Sequence, residues 1–157
     1  MQNNPTKIIV HHSADITQTD QLAKINEYHK ERDFPVSSLG YYVGYHYLIN
    51  HAGQLTQTRK IEDEGAHCIG LNFDSIGICM EGNFDIELPT DAQKATLGNL
   101  LVELCAQFNF DVTDIFPHRC FRNTSCYGNL LSPDWARILF LDYKDKNNEK
   151  IPMCSQN

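Results

Sequence analysis

The sequence predicts a single α/β domain in which helices cover a central mixed β-sheet. The chain has 157 residues, 41% of them hydrophobic, and this size and composition suit one domain with one core. Segments of strand and helix character mix along the chain without a strict β-α alternation, which predicts a mixed sheet with helices layered against it. We expect the domain to span residues 1–143, followed by a polar, charged tail over residues 144–157.

The predicted strands are short runs rich in β-branched and aromatic residues. In chain order they are Lys7–His11, Tyr45–Asn50, Gln54–Thr58, Ser75–Met80 and Ile115–His118. The first and fourth have the continuous apolar character of buried strands. The second and third are separated by a tight turn at His51-Ala52-Gly53, which predicts a hairpin.

Three segments predict helices. Residues Asp20–Arg32 place apolar side chains near one face. The segment Thr90–Phe108 is the clearest helix, because Thr90 and Gln93 form a capping-box pattern ahead of a leucine stripe. Ser132 and Pro133 suit the N-cap and first position of a last helix.

The charge and the amino-terminal residues limit the possible partners. A net charge of −7 argues against nucleic acid as the main partner, because phosphate binding needs a basic surface. No apolar run approaches the roughly 20 residues that a membrane-spanning helix needs. Residues Met1 to Lys7 hold no apolar segment of a signal peptide, so we expect synthesis in the cytoplasm without such a signal.

The sequence has six cysteines, an even number that would allow a disulfide framework. They are Cys68, Cys79, Cys105, Cys120, Cys126 and Cys154. Without a signal peptide, free thiols in a reducing cytosol are the expectation.

The end of the first strand offers candidate metal ligands. His11 and His12 follow a buried strand, and a histidine at such a point is well placed to reach a cleft. Side chains of neighbouring strand residues point to opposite faces, so at most one of the pair should reach a given metal ion. The alternative is a hydrogen-bonded surface histidine.

His118 and Cys126 form a second candidate, since imidazole and thiolate both bind zinc well. Seven residues separate them, which is enough for a loop to bring both to one ion. Three protein ligands would leave a position open for water, as in catalytic zinc sites. The spacing itself is not diagnostic, and a buried apolar thiol is the alternative for Cys126.

Two further segments carry polar groups suited to a cleft. In Gly44-Tyr45-His46-Tyr47, a phenol beside a metal site would donate to a developing oxyanion, although such a strand is more often core. The segment alone does not say which tyrosine faces the cleft. His67, Asn72 and Ser75 lie in a loop and strand that would line a groove or form an ordinary surface loop.

Taken together, these segments resemble the type 2 N-acetylmuramoyl-L-alanine amidase family, which includes small phage lysozymes and animal peptidoglycan recognition proteins. The matching stretches are IIVHHSA (8–14), VGYHYLIN (43–50), GAHCIGLNFDSIGICMEG (65–82) and HRCFRNTSC (118–126). Each stretch is weak by itself, but the four occur in the right order from about Ile8 to Phe140.

The resemblance implies a zinc site in a surface groove, with His11, His118 and Cys126 as the three ligands. It implies Tyr45 as the tyrosine that contacts the metal-activated water and the scissile carbonyl, and Thr124 as a second group that helps to hold the oxyanion. It also implies that His67, Asn72 and Ser75 shape the muropeptide groove.

The sequence departs from the family pattern at three places. Tyr127 follows the implied ligand cysteine where proline is frequent, and Cys120 occupies a position that is often acidic. A disulfide between Cys120 and Cys126 would disable the third ligand. Cys79 stands where a branch acting on recycled anhydro-muropeptides has glutamate, so the chain resembles the phage lysozyme and recognition-protein branch instead.

The implied activity is zinc-dependent hydrolysis of the amide between the muramoyl lactyl group and L-alanine, for example by a prophage lysin that needs phage-type release or another export route. The expected partner is peptidoglycan or a muropeptide rather than nucleic acid or a membrane, and a monomer is expected. The alternatives are a non-catalytic peptidoglycan-binding module and a regulatory protein that binds a polymerase. Loss of the ligand cysteine accompanies loss of catalysis in recognition proteins, so Cys126 favours an enzyme.

Overall fold

A five-stranded β-sheet with three helices forms the framework of the computed structural model, which describes residues 2–18 and 21–149. The strands are β1 (Lys7–His12), β2 (Tyr47–Ile49), β3 (Leu55–Gln57), β4 (Ser75–Met80) and β5 (Ile115–Pro117). The helices are α1 (Gln21–Glu31), α2 (Asp91–Phe108) and α3 (Trp135–Glu149), and Val112–Asp114 and His118–Cys120 form short 3₁₀ helices.

The sheet is mixed, as the sequence predicts. Its strand order is β3-β2-β4-β1-β5. Strand β1 pairs in parallel with β4 and β5, β4 pairs in parallel with β2, and β2 and β3 form the antiparallel hairpin. The carboxyl ends of the parallel strands therefore lie along one edge of the sheet.

The two faces of the sheet have different surroundings. On one face, Ile8 and Val10 of β1 and Ile76 and Ile78 of β4 are buried in the main hydrophobic cluster with leucines of α2 and Phe140 of α3. Because side chains alternate along a strand, His11 points to the opposite face. Its registered neighbour on β4 is Cys79, so the candidate site lies on the face that α2 and α3 do not cover.

Helix α2 begins and ends with capping interactions. The predicted capping box is confirmed: the Thr90 hydroxyl accepts from the Gln93 N–H, and the Gln93 side chain accepts from the Thr90 N–H. Asn109 ends the helix in the left-handed conformation (φ 57°), and its N–H donates to the Cys105 carbonyl. Such caps satisfy backbone groups that the helix itself leaves unpaired.

Helix α3 differs from its prediction at both ends. It begins at Trp135 rather than at Pro133, because the Trp135 N–H donates to the Ser132 carbonyl and closes a turn ahead of the helix. It continues through Glu149, so residues 144–149 of the expected polar tail are helical. The rest of that tail, residues 150–157, lies outside the described residues, as does Asp20, where we expect α1 to begin.

The cysteines in the described part of the chain are all free thiols, and Cys154 lies outside that part. None of the helices that the structure describes has the length and apolar character needed to cross a membrane.

Candidate metal centre

Three side chains converge at the carboxyl edge of the sheet. One potential ligand atom from each of His11, His118 and Cys126 lies within 4.8 Å of the other two. Among the described residues, this is the one group of three histidine, cysteine or acidic side chains close enough to share a metal ion. His11 and Cys126 are buried and His118 is half-buried, so most of the group is shielded from solvent.

Adjacent parallel strands bring the two histidines together. His11 is near the carboxyl end of β1, and His118 directly follows Pro117, the last residue of β5. Since β1 and β5 run in parallel with Val10 opposite Pro117, the residues that follow them come out side by side. The two ring centroids are 4.5 Å apart.

Cys126 reaches the site on a loop that backbone and side-chain hydrogen bonds hold in place. The Arg119 N–H donates to the Cys126 carbonyl at 2.7 Å. The Arg119 guanidinium donates to the carbonyls of Gly128 (2.8 Å) and Leu131 (2.6 Å). The His12 N–H donates to the Cys126 sulfur at 3.3 Å, an interaction that favours the thiolate form.

Asp85 fixes the same loop from the other side. Its carboxylate accepts from the Ser125 hydroxyl at 2.9 Å and from the Asn129 N–H at 2.7 Å. The Asn129 and Ser125 hydrogen bonds hold the pKa of Asp85 below its usual value. The loop is therefore anchored on both sides of Cys126.

His12 has a structural part beside this centre. Its Nδ1 accepts from the Phe84 N–H at 3.0 Å, and its ring packs near the Phe84 ring. Only His11 of the pair enters the group of potential ligands, as the alternation of side chains along a strand predicts.

Burial sets the ionisation of the three side chains. Desolvation is the main cause that lowers the pKa of His11 well below its usual value, and it also lowers that of His118. Both imidazoles are therefore neutral at pH 7, the form that binds metals. Burial raises the pKa of the Cys126 thiol to about 12, an effect that the His12 N–H opposes, so a metal ion must displace a proton from this thiol.

Tyr45 is the tyrosine that borders the group. Its ring centroid is 5.0 Å from that of His11, and the Cys79 thiol lies close enough to its phenol to affect the phenol's pKa. Burial, reinforced by Cys79 and Cys126, raises the pKa of Tyr45 well above its usual value, so the phenol keeps its proton. Tyr47 instead packs against the main hydrophobic cluster on the other face.

Thr124 is exposed on the loop two residues before Cys126. Its hydroxyl accepts from the Cys126 N–H at 3.3 Å, which leaves the hydroxyl hydrogen available for another partner. The role of Thr124 at the oxyanion stays a prediction.

The three residues expected along the groove form one hydrogen-bonded unit. Asn72 accepts from the backbone N–H groups of His67 and Cys68 and so shapes their loop. The ring of His67 lies next to that of His11, with 2.9 Å between nitrogens. Ser75 is fully buried beneath it. Substrate contact by His67, Asn72 and Ser75 stays a prediction.

Sequence reasoning overlooked two residues that position this site. His29 of α1 accepts from the Gly44 N–H at 2.9 Å, and its ring packs against Tyr45 at 5.8 Å between centroids. Its position on the apolar face of a predicted helix could have indicated that His29 packs inside the protein. Asp85 carried no signal, because its two partners lie 40 and 44 residues away in sequence.

The chain is similar to known proteins of one family. The family model described as N-acetylmuramoyl-L-alanine amidase matches residues 1–129. The endolysin of Klebsiella phage KP32 is 32% identical over 125 residues, covering 73% of this chain and 79% of the endolysin. Peptidoglycan-recognition protein 2 of Holotrichia diomphalia is 31% identical over 134 residues, covering 79% of this chain and 67% of that protein.

The fold has solved counterparts. The structure of the N-acetylmuramoyl-L-alanine amidase LysC from Clostridium intestinale URNW superposes with a TM-score of 0.73 at 34% identity. The match covers 93% of this chain and 87% of that one, so the similarity extends over nearly the whole fold.

Proposed function

This chain belongs to the N-acetylmuramoyl-L-alanine amidase family, and on that premise we propose that it cuts peptidoglycan with one zinc ion held by His11, His118 and Cys126. The bond cut is the amide between the muramoyl lactyl group and the L-alanine of the stem peptide. The observation that carries the proposal is the convergence of the three potential ligand atoms within 4.8 Å of one another.

The chemistry of these donors suits zinc. Two imidazoles and one thiolate are the nitrogen and sulfur ligands that zinc prefers, and a set of three leaves a fourth position open, as catalytic zinc sites require. The His12 N–H directed at the Cys126 sulfur supports a thiolate there. When bound, zinc would lower the pKa of a water molecule to near 7 and polarise the scissile carbonyl.

The chain's own residues supply the remaining chemistry. Tyr45 keeps its phenol proton because of burial, so it donates a hydrogen bond to the carbonyl oxygen as negative charge develops there. Thr124 supplies a second donor from the loop. Removal of one such donor typically costs roughly 3 kcal/mol of transition-state stabilisation.

The half-buried His67 and Asn72 are proposed to border the groove that takes the muropeptide. Ser75 is fully buried, so its contribution passes through His67, whose ring it contacts. Peptidoglycan is the substrate class of the family, and the phage endolysins among the relatives support lysis of a bacterial wall as the biological setting.

Hydrolysis is favoured over peptidoglycan binding without catalysis. A module that only binds the wall has no need of three convergent metal-binding side chains, whereas here a loop of many hydrogen bonds holds Cys126 beside the two histidines. Tyr45 stands next to them with a protonated phenol.

The proposal is tested with reduced protein and purified peptidoglycan. We expect release of stem peptides that begin with a new amino-terminal L-alanine, loss of that release with a chelator and its recovery when zinc is added back. A wall preparation in which no new alanine amino terminus appears would contradict the proposal.

A further inference from the structure

A line of hydrogen-bonding groups continues from His11 through His67 and Ser75 to the Leu71 carbonyl. Nε2 of His11 lies 2.9 Å from Nδ1 of His67. Nε2 of His67 lies 3.2 Å from the Ser75 hydroxyl oxygen. That hydroxyl donates to the Leu71 carbonyl at 2.6 Å, where the line ends.

Every hydrogen bond in this line is donated towards Leu71, because the Leu71 carbonyl at its end can only accept a hydrogen bond. A carbonyl oxygen has no proton to give, so the single hydroxyl proton of Ser75 is committed to Leu71. The Ser75 oxygen must then accept from Nε2–H of His67. A neutral imidazole carries one N–H, so Nδ1 of His67 is an acceptor and takes its hydrogen bond from Nε2–H of His11.

We propose that His67 and Ser75 are positioning residues that hold His11 as its Nε2–H tautomer and leave its Nδ1 lone pair for the metal ion. This inference rests on the proposed function in one respect, namely that His11 is a metal ligand. It assigns a tautomer and two supporting residues, which the family match does not supply.

The packing around His67 shows that the ring is built into the fold. Gly77 of β4 lies directly beneath it, and a Cβ added at Gly77 would meet three ring atoms at 2.6–2.8 Å. A Cβ added at Gly65 would meet the same ring at 2.6 Å. Two glycines therefore leave a slot that the imidazole fills, and the Asn72 side chain holds the His67 backbone N–H at 2.8 Å.

A partner of this kind affects a metal ligand in two ways. It fixes which ring nitrogen keeps its lone pair, and it holds the ring plane so that the ligand is already oriented. Removal of such partners typically lowers metal affinity by about 10–100-fold.

The tautomer is observable without metal and without any variant. Long-range ¹H–¹⁵N correlation spectra of the reduced, metal-free protein report which nitrogen of His11 carries hydrogen. We expect Nε2–H for both His11 and His67 in the wild type, and mixed tautomers in Ser75→Ala. A wild-type His11 that carries its proton on Nδ1 would overturn the inference.

Zinc affinity gives the second test, with leucine and asparagine as a matched pair at His67. The two side chains have the same branched shape, but asparagine offers an oxygen near the place of Nδ1. By competition with a chromophoric chelator, we expect His67→Leu to bind zinc about 10–100-fold more weakly than the wild type, and His67→Asn to recover most of that loss.

Wild-type zinc affinity in both variants, or an equal loss in both, would overturn the inference, because the acceptor would then have no part in binding. Circular dichroism establishes that each variant is folded before its affinity is compared. A wild type that binds no zinc would instead refute the proposed function, while the tautomer measured in metal-free protein would still decide this inference.

Discussion

At the scale of single residues, the environment of each side chain determines its chemistry. His11 and His12 are neighbours on β1, yet His11 joins the potential metal ligands while His12 accepts a hydrogen bond from the Phe84 backbone. The His12 backbone N–H nevertheless reaches the Cys126 sulfur. The ring of one histidine thus joins the potential ligands, and the backbone of the next contacts the sulfur of another potential ligand.

Cys126→Ser tests the third ligand. A serine hydroxyl is a poor zinc ligand compared with a thiolate, so we expect the variant to lose zinc and activity while it stays folded. Cys120→Ser is the matched control, because it removes an exposed thiol of the same loop and should keep both. Metal analysis, a peptidoglycan assay and circular dichroism check the result, and a zinc-loaded, active Cys126→Ser protein would refute this ligand.

Tyr45→Phe tests the proposed oxyanion donor. The phenol borders His11 and takes no part in the group of three ligands, so we expect normal zinc content and a loss of about 10²–10³-fold in kcat. Tyr47→Phe is the control, since Tyr47 packs against the core on the other face of the sheet. Steady-state kinetics would contradict the assignment if Tyr47→Phe were the inactive variant.

The sequence predicts the residues at this scale only in part. Alternation along β1 shows that one histidine of the pair faces the site, but the family resemblance is needed to say that it is His11. The contact of His67 with His11 joins residues 56 positions apart. Nothing in the local pattern of the chain encodes such a contact, since it depends on how the loop after β3 folds back over β4.

At the scale of elements, the candidate site is assembled where a helix and the connecting loops contact the sheet. Helix α1 contributes His29, which accepts from the Gly44 N–H and packs against Tyr45. The loop after β5 contributes Cys126, and Asp85 and Arg119 anchor it. Strand β1 therefore supplies His11, whereas α1 and the connecting segments supply the other side chains of the site.

His29→Asn tests the contact between α1 and the segment of Tyr45 through its pH dependence. Burial, with the charges of Arg59 and Arg32, lowers the pKa of His29 to about 4 from 6.5. Between pH 6.5 and about 4, His29 is therefore protonated in the unfolded chain but neutral in the folded protein. The contribution of neutral His29 to the free energy of unfolding is complete above pH 6.5 and is lost as the pH falls towards 4.

Asparagine does not titrate, yet it offers an oxygen to the Gly44 N–H. We therefore expect the free energy of unfolding, measured with urea on metal-free protein, to fall less between pH 7 and pH 5 in His29→Asn than in the wild type. Equal falls in the two proteins would show that His29 has no such coupling.

Gly98→Ala tests the packing of α2 on α3. A Cβ at Gly98 would collide with the ring of Tyr143. Overpacking costs about 1–3 kcal/mol, and the better helix propensity of alanine returns about 1 kcal/mol, so we expect a net loss of up to about 2 kcal/mol.

Asn99→Ala is the matched control, because the neighbouring position is exposed and alanine there should be neutral or slightly stabilising. Urea unfolding should show a lower free energy of unfolding for Gly98→Ala than for Asn99→Ala. A Gly98→Ala protein more stable than the wild type would contradict this account of the interface.

The sequence predicts a helix or strand well where neighbouring residues determine it. The capping box of α2 and the run of β4 are examples, since both depend on neighbouring residues. The predicted start of α3 was two residues too early, because Pro133 and Asp134 form a turn that the hydrogen bond to the Ser132 carbonyl closes. The polar residues 144–149 gave no sign that the helix would continue through them.

At the scale of the whole molecule, one face of the sheet packs in the hydrophobic core and the other carries the candidate site. Its inner face packs against α2 and α3 in the main hydrophobic cluster. Its other face carries His11 and borders Tyr45, and the carboxyl ends of its parallel strands bring His118 beside them. The mixed sheet follows from the sequence, but the strand order does not, because β1 and β4 pair across more than 60 residues.

Zinc titration of hydrolysis tests the central claim most directly. Reduced, metal-free protein is mixed with increasing zinc, and the new amino-terminal L-alanine released from purified peptidoglycan is measured at each step. We expect no release without metal and a rise that reaches its plateau at one zinc per chain. Full release from metal-free protein, or no release at any zinc concentration, would contradict it.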